Sequence, residues 1–307
     1  PETYSARNAR AASLEELQTA SEMVDKGIPL SPELDQALNH GTSIGGARPK
    51  ANLVGDGQKF IAKFTGSTDT YNVVKAEYIA MRLAEAVGIE VAAVKLTQAL
   101  GKDVLLIERF DRYALPADPA GEVSWARKSI VSALTILGLP EMEARYASYE
   151  MLAESIRYRF TRPRDTLHEL FKRMVFNVLV GNTDDHARNH AAFWDGSELT
   201  LVPAYDICPQ SRTGEEASQA MSIRGENKLS QLGNCLGSAR SFQLSKNQAL
   251  EIISQQVGTI VRKYPETCAD AQLSEVDQRF FWRRQFLNPF CFYDLDESLR
   301  RRLTTDL

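Results

Sequence analysis

The sequence predicts an α+β fold in two lobes, a small β-rich N-lobe over residues 1–112 and a larger, mostly helical C-lobe over residues 113–307. Three observations lead there. The chain has 307 residues, room for two lobes of roughly 150 residues each. Between residues 51 and 109 short alternating apolar runs are separated by glycine turns, which is strand texture. Beyond residue 128 the apolar spacing becomes helical for most of the remaining length.

Element by element, Ser13-Leu14-Glu15-Glu16 has the Ser-x-x-Glu form of a capping box, followed by apolar Leu17, Ala20 and Val24 up to Gly27. Ser31-Pro32 reads as an N-cap with proline at the first helical position. A glycine-rich approach, Gly41 to Gly46, precedes two strands, 51–54 and 59–64, joined by a Gly55-Asp56-Gly57 turn. Residues 71–87 have helical period and stop at Gly88, and strands follow at 90–98 and 103–109, separated by Gly101. Helices are expected near 128–137, 142–160 and 164–180, with breaks at Gly138-Leu139-Pro140 and Arg162-Pro163. Asp195-Gly196 marks a hairpin over 191–202, residues 211–240 read as loop, and the tail opens a helix with a Ser-x-x-Gln cap at Ser245 and Gln248.

Composition excludes several classes. Hydrophobic residues are 43% and charged residues 25%, enough for a buried core. A net charge of −4 gives no whole-body attraction to nucleic acid or membrane. No apolar run approaches the roughly 18 residues of a membrane span, and no leader opens the chain, so the expected compartment is the cytoplasm. Cys208, Cys235, Cys268 and Cys291 form no CxxC pair, which argues against a zinc site or a disulfide framework. The chain begins at Pro1 rather than Met, as a processed product or a fragment would.

The chemistry concentrates in Gly181 to His190, directly after apolar Val178-Leu179-Val180. An Asp followed five residues later by an Asn, Asp184 and Asn189, suits phosphoryl transfer: the Asp accepts the proton of the attacking hydroxyl and the Asn holds magnesium. Asp206, past the hairpin in Val202-Pro203-Ala204-Tyr205-Asp206-Ile207, supplies a second oxygen ligand for a hard cation. Each feature alone is also ordinary turn or capping chemistry; their order, with a hairpin between, carries the weight. The Asp184/Asp185 doublet leaves an ambiguity that the five-residue step to Asn189 decides for Asp184. In the N-lobe, Lys63 lies in the alternating strand Phe60 to Phe64 behind Gly45-Gly46, where a lysine can hold the α- and β-phosphates of ATP. Glu77 on the next helix can pair with it or be a solvated carboxylate. The glycine segment is no Walker A loop, because no Gly-Lys-Ser/Thr follows. His186 and His190 read as loop-orienting hydrogen-bond donors, and Trp125, Trp194 and Trp282 as core anchors. The arginines at 157, 159, 162, 164 and 300–302 read as solvated faces.

Five motifs in order, Ser43 to Lys50, Ile61 to Phe64, Glu108 to Arg112, Thr183 to Asn189 and Pro203 to Ile207, resemble the HipA family of bacterial serine/threonine kinase toxins over about residues 13–265. The resemblance implies a two-lobed, protein-kinase-like fold, ATP and Mg2+ as cofactors, and Asp184 as catalytic base with Asn189 and Asp206 as metal ligands. It implies that Lys63 contacts phosphate, that Glu108 and Phe110 form the hinge meeting adenine, and that Ser43 is autophosphorylated. A phosphate of roughly −2 charge on that loop could not share a pocket with the ATP phosphates. It further implies a protein substrate, an aminoacyl-tRNA synthetase, and a DNA-binding antitoxin through which DNA is met only indirectly, with no membrane partner. Family members usually carry about a hundred more residues before the first helix, so the resemblance marks this chain as a short form or a piece. Relative to ordinary protein kinases, Ile207-Cys208 replaces Phe-Gly after the metal-binding Asp. Two rivals remain: a small-molecule kinase of the aminoglycoside type, which would phosphorylate an amine or alcohol, and an ATP-binding pseudokinase acting as scaffold or co-repressor, which would leave ATP unturned.

Overall fold

The first helix begins where the capping box predicts it. In the computed structural model, which describes residues 13–32, 50–55, 57–66, 69–117, 123–212, 214–305 and 307, Ser13 Oγ accepts the Glu16 amide at 3.2 Å. The Glu16 carboxylate in turn accepts the Ser13 amide at 2.8 Å. This helix, α1 (Leu14–Asp25), presents Leu17 and Ala20 to an antiparallel sheet made of β1 (Lys50–Gly55), β2 (Gln58–Phe64), β3 (Val94–Ala99) and β4 (Lys102–Glu108) in the order β1-β2-β4-β3. Alternation along each strand puts Ala51, Ala62, Phe64, Val104 and Ala99 into one cluster with α1. Burying Phe64 completely contributes roughly 2–3 kcal/mol. The helix predicted to open at Ser31-Pro32 falls almost wholly outside the described residues, as does the Gly41 to Gly46 approach.

The hairpin predicted between β1 and β2 forms, and the two strands expected around Gly101 pair as a second. Gly57 takes the left-handed conformation at φ 70° between β1 and β2, and Leu100 and Gly101 do so at 50° and 75° between β3 and β4. A two-stranded ribbon, β5 (Arg112–Ala114) with β6 (Trp125–Arg127), follows. The Lys59 ammonium lies 5.0 Å from the centroid of the Trp125 ring.

Contacts divide the chain into two compact units. One holds the described residues up to Lys75 together with Ala93–Arg127; the other holds Ala76–Ala92 with Lys128–Leu307. The division falls inside α2 (Val73–Ala86), the helix expected over 71–87.

The second unit is built around α5 (Pro163–Val180), preceded by the short α3 (Ala133–Ile136) and by α4 (Tyr149–Arg159). Every side chain from Arg173 to Val180 is buried, the pattern of a helix surrounded by other elements. Against it pack α4, α6 (Leu232–Ser238) and α7 (Lys246–Asp270), and the chain closes with α8 (Glu275–Phe281) and α9 (Glu297–Thr304). The cap predicted at Ser245 forms, with Oγ accepting the Gln248 amide at 3.3 Å. A three-stranded sheet, β7 (Ile130–Ser132), β8 (Ala191–Trp194) and β9 (Leu199–Leu201), contains the Asp195-Gly196 hairpin.

Four expectations change here. Residues 130–132 form a strand where helix was expected, because β-branched Ile130 and Val131 pair with Phe193 and Ala192, and only Ala133–Ile136 turns helical. The helix expected over 142–160 is split: Glu141–Tyr146 is a 3₁₀ turn, and Ser148 restarts the chain by capping α4, its Oγ accepting the Met151 amide at 3.0 Å. Trp194 is 40% exposed and is no core anchor. The region read as loop over 211–240 also contains α6. Among the described residues no helix is long and apolar enough to cross a membrane.

Candidate active site

Helix α5 delivers the Asp184 segment by ending sharply. Gly181 sits at φ 69°, and the Asn182 amide turns back to the Asn177 carbonyl at 2.9 Å. A Cβ at Gly181 would come within 2.7 Å of the Gln285 carbonyl oxygen, so glycine is required both by conformation and by space. The loop then runs from Asn182 to His190 before entering β8.

Within this loop the two adjacent aspartates have opposite environments. Asp184 is exposed. Asp185 is 3% exposed, and its Oδ2 receives the Asn177 side-chain amide at 2.8 Å, the His190 Nε2 at 2.8 Å, and the Tyr149 hydroxyl. Burial, followed by the charge of Asp185 and the hydrogen bond to it, raises the Tyr149 hydroxyl well above its ordinary value, so it remains a proton donor. Asn189 is buried and its amide nitrogen reaches the Asp184 carbonyl oxygen at 3.4 Å, which commits the nitrogen inward and leaves the side-chain oxygen as the acceptor atom. Of the histidines, His190 does orient the loop, through Asp185.

The second arm carries Asp206. Val91 and Ala204 form a parallel bridge: the Ala204 amide donates to Glu90 O at 2.7 Å and the Ala92 amide to Ala204 O at 2.9 Å. The buried guanidinium of Arg173 on α5 fastens both strands of this crossing, donating to Val202 O at 3.0 Å and to Glu90 O at 3.3 Å. Asp206 follows, half-buried, with φ 60°, a left-handed conformation that is uncommon outside glycine and tolerated best by Asn and Asp. Next to it, Tyr205 donates its hydroxyl to Arg188 O at 2.6 Å. Burial, then the charges of Asp206 and Asp185, push the Tyr205 hydroxyl far above its ordinary value. Asp184, Asn189 and Asp206 thus belong to two backbone segments joined by a hydrogen bond within one unit.

The remaining candidates are distributed differently. Glu77 is buried on the part of α2 that belongs to the second unit. Lys63, Glu108 and Phe110 lie in the first unit. Lys63 is buried and faces away from the α1 side of the sheet, opposite Leu105 of β4. Glu108, the last residue of β4, accepts the Gln58 side-chain amide at 3.0 Å, and its own amide donates to Ala93 O at 2.8 Å. Beyond it, Arg109 holds Asp111 with two bonds of 2.9 and 2.7 Å, joined by Arg112. Burial alone would raise Asp111, but the hydrogen bonds and charge of Arg109, with the charge of Arg112, hold its carboxyl below the ordinary range. Ser43, Gly45 and Gly46 lie outside the described residues.

Sequence reading missed two of the partners of Asp185, Tyr149 and Asn177. The Asp-Asp doublet and Asn177, one turn before Gly181, carried a local signal. Tyr149 carried none, because it lies 36 residues upstream on another helix.

Comparison with known proteins gives the wider setting. A putative kinase of Sinorhizobium fredii, Y4mE, is 33% identical over 152 residues, covering 48% of this chain and 33% of its own length. The serine/threonine-protein kinase toxin HipA of Shewanella oneidensis is 28% identical over 188 residues, covering 54% of this chain and 42% of that protein. The chain therefore spans less than half the length of these two relatives. The solved complex of Shewanella oneidensis HipA with HipB and its operator DNA matches with a TM-score of 0.63 at 22% identity, over 86% of this chain and 64% of that one. The expected α+β, protein-kinase-like fold is the fold observed. The model of the HipA-like C-terminal domain matches residues 42–264, most of the sequence, and the chain belongs to that family.

Proposed function

We propose that the chain is a serine/threonine-protein kinase that transfers the γ-phosphate of ATP to a protein hydroxyl. The observation that carries the reading is the division of labour at the aspartate doublet. Asp185 is buried with three donors on its Oδ2, while Asp184 is exposed five residues before Asn189. An exposed carboxylate is the one able to reach a substrate. As general base it would take the proton of the attacking hydroxyl, a contribution of about 10²–10⁴-fold in rate.

Asn189 and Asp206 would hold Mg2+. Their donors are oxygens, and among the described residues no group of three or more His, Cys, Asp and Glu side chains is placed to hold a metal. One carboxylate and one amide suit an ion that completes its shell with water and substrate phosphate, as magnesium does. When bound, the ion supplies neutralisation of the charge on the β- and γ-phosphate oxygens. Lys63 would orient the α- and β-phosphates with Glu77 as its partner, Glu108 and Phe110 would meet adenine, and Gly45-Gly46 would cover the phosphates. In this division residues 1–112 hold the nucleotide and residues 113–307 carry the catalytic loop and metal hairpin. Ser43 would accept a phosphate in cis or in trans.

The family points to a toxin-antitoxin role in the cytoplasm. The solved HipA relative is in complex with HipB and operator DNA, which motivates a DNA-binding antitoxin as partner here, DNA being met through it. An aminoacyl-tRNA synthetase is the proposed substrate.

Intact-protein mass after phosphatase treatment, and then after ATP–magnesium, tests the reading on wild type and Asp184→Ala. A phosphate gained by wild type at Ser43 and absent from the variant is expected. ATP bound but neither hydrolysed nor transferred would replace the kinase with a scaffold, and phosphate on a small amine or alcohol would replace the protein substrate.

A further inference from the structure

The buried end of the loop offers more than a core. Five polar side chains from three segments converge there: Tyr149 on α4, Asn177 on α5, and Asn182, Asp185 and His190 on the loop, all exposed by 3% or less. Asn182 donates its amide to Asn177 Oδ1 at 3.0 Å, which fixes the rotamer of Asn177 so that its NH2 group faces Asp185. The Tyr149 ring stands edge-on to the His190 ring at 5.7 Å. Three donors meet on a single carboxylate oxygen, Asp185 Oδ2.

Such an arrangement is expensive in desolvation, the more so because the buried Nδ1 of His190 has no hydrogen-bond partner, and it offers one geometry only. A fold that needed only to fill this space could do so with apolar side chains at equal or better stability. What the network adds is the fixed course of the loop. Asp185 is flanked by Asp184 on one side and, four residues on, by Asn189, whose amide touches the Asp184 carbonyl. His190 continues into β8, where its carbonyl accepts the Ala133 amide at 2.7 Å. Both ends of the functional segment are therefore pinned by Asp185.

We propose that Asp185 is the positioning residue of the loop, held by Tyr149, Asn177 and His190 so that Asp184 and Asn189 are presented in one fixed geometry. Tyr149 is the remote member of the device, and its hydroxyl sets the position of a base it does not touch. The catalytic consequence rests on the phosphoryl-transfer reading above; the geometric consequence does not.

The test uses Tyr149→Phe and Asp185→Asn on the full chain, since Asp185→Ala leaves three buried donors unanswered and invites misfolding. Amide hydrogen exchange of residues 183–190 reads the geometry directly and needs no activity. About fivefold or faster exchange confined to this segment in Tyr149→Phe, with the rest of α4 and α5 unchanged, is expected. Steady-state phosphorylation should show kcat reduced about 10–100-fold with the KM for ATP within about twofold of wild type. Asp185→Asn, which removes the charge from all three bonds at once, should exceed Tyr149→Phe in exchange of the same segment. Unchanged exchange in the loop would overturn the proposal, as would exchange raised uniformly through α4 and α5, which marks a general loss of packing. If wild type transfers no phosphate, the kinase reading fails and the exchange result still decides this one.

Discussion

The hydroxyl of Tyr205 donates to the carbonyl of Arg188 at 2.6 Å. Tyr205 precedes Asp206 and Arg188 precedes Asn189, so one hydrogen bond ties the backbone segments of the two proposed metal ligands together. Because burial holds the phenol in its protonated form, this tie persists through the alkaline range in which an exposed tyrosine, with a pKa near 10, would ionise.

Tyr205→Phe should therefore cost about 1 kcal/mol in stability, the usual worth of one such bond. It should raise the magnesium concentration needed for half-maximal phosphorylation about three- to tenfold. A magnesium titration at saturating ATP measures the second effect, and an unchanged midpoint would remove Tyr205 from the site.

At Asp206 the backbone and side chain can be separated. Asp206→Ala and Asp206→Gly both delete the carboxylate and should both abolish phosphoryl transfer. At φ 60°, alanine pays a steric cost that glycine avoids, so the glycine variant should be about 1 kcal/mol more stable than the alanine variant by denaturant titration. Equal stabilities would mean that the turn relaxes when the carboxylate is lost.

Gly181→Ala combines a left-handed conformation with a 2.7 Å approach to the Gln285 carbonyl. Both errors fall on backbone that cannot swing aside, so a loss of at least about 1–3 kcal/mol is expected. Chemical denaturation reads it, and activity should fall with it because the loop leaves α5 at this residue.

The Arg109–Asp111–Arg112 cluster carries a pH dependence of known sign. The folded carboxyl of Asp111 titrates below its unfolded value of about 3.8–3.9. The unfolded chain therefore binds more protons in the acid range, and stability rises with pH there. The contribution is complete above the unfolded pKa and is lost as pH falls through the folded one. The melting temperature of Asp111→Asn should lie below that of wild type at neutral pH, and the gap should close as pH is lowered through the carboxylate range.

The four cysteines are free thiols, three of them buried and Cys208 half-buried. Burial pushes the Cys268 thiol up to about 11 and the Cys291 thiol up to about 12, so neither offers a thiolate at neutral pH. A native thiol-labelling assay should report Cys208 alone on the fast timescale and all four after denaturation. Rapid native labelling at Cys235, Cys268 or Cys291 would contradict this packing.

What could be read from the chain was local. Ser13 with Glu16, Ser245 with Gln248, Gly57 and Asp195-Gly196 each specify their own conformation within a few residues, and each forms as expected. The five-residue spacing of Asp184 and Asn189 is likewise a local pattern. What escaped depends on partners elsewhere. Ile130 to Ser132 become a strand only because Ala191 to Phe193 lie alongside. The different fates of Asp184 and Asp185 are decided by Tyr149 and Asn177, and the left-handed turn at Asp206 follows a bridge to Val91. Pattern within a window cannot report a contact across the fold.

The interleaving of the two units bears on how the protein is made. Residues 76–92 leave the ribosome with the first unit, yet the backbone bonds at Glu90 and Ala92 are to Ala204, and Arg173 is the side chain that fastens Glu90. At about 5–20 residues per second, translation reaches Ala204 on the order of ten seconds after Ala92 has been added. For that interval a nascent amphipathic helix waits without the residues that will cover it. Synthesis of the second half, rather than completion of the first, is then the event that commits the chain to its final structure, and chaperone capture should concentrate on nascent chains of intermediate length.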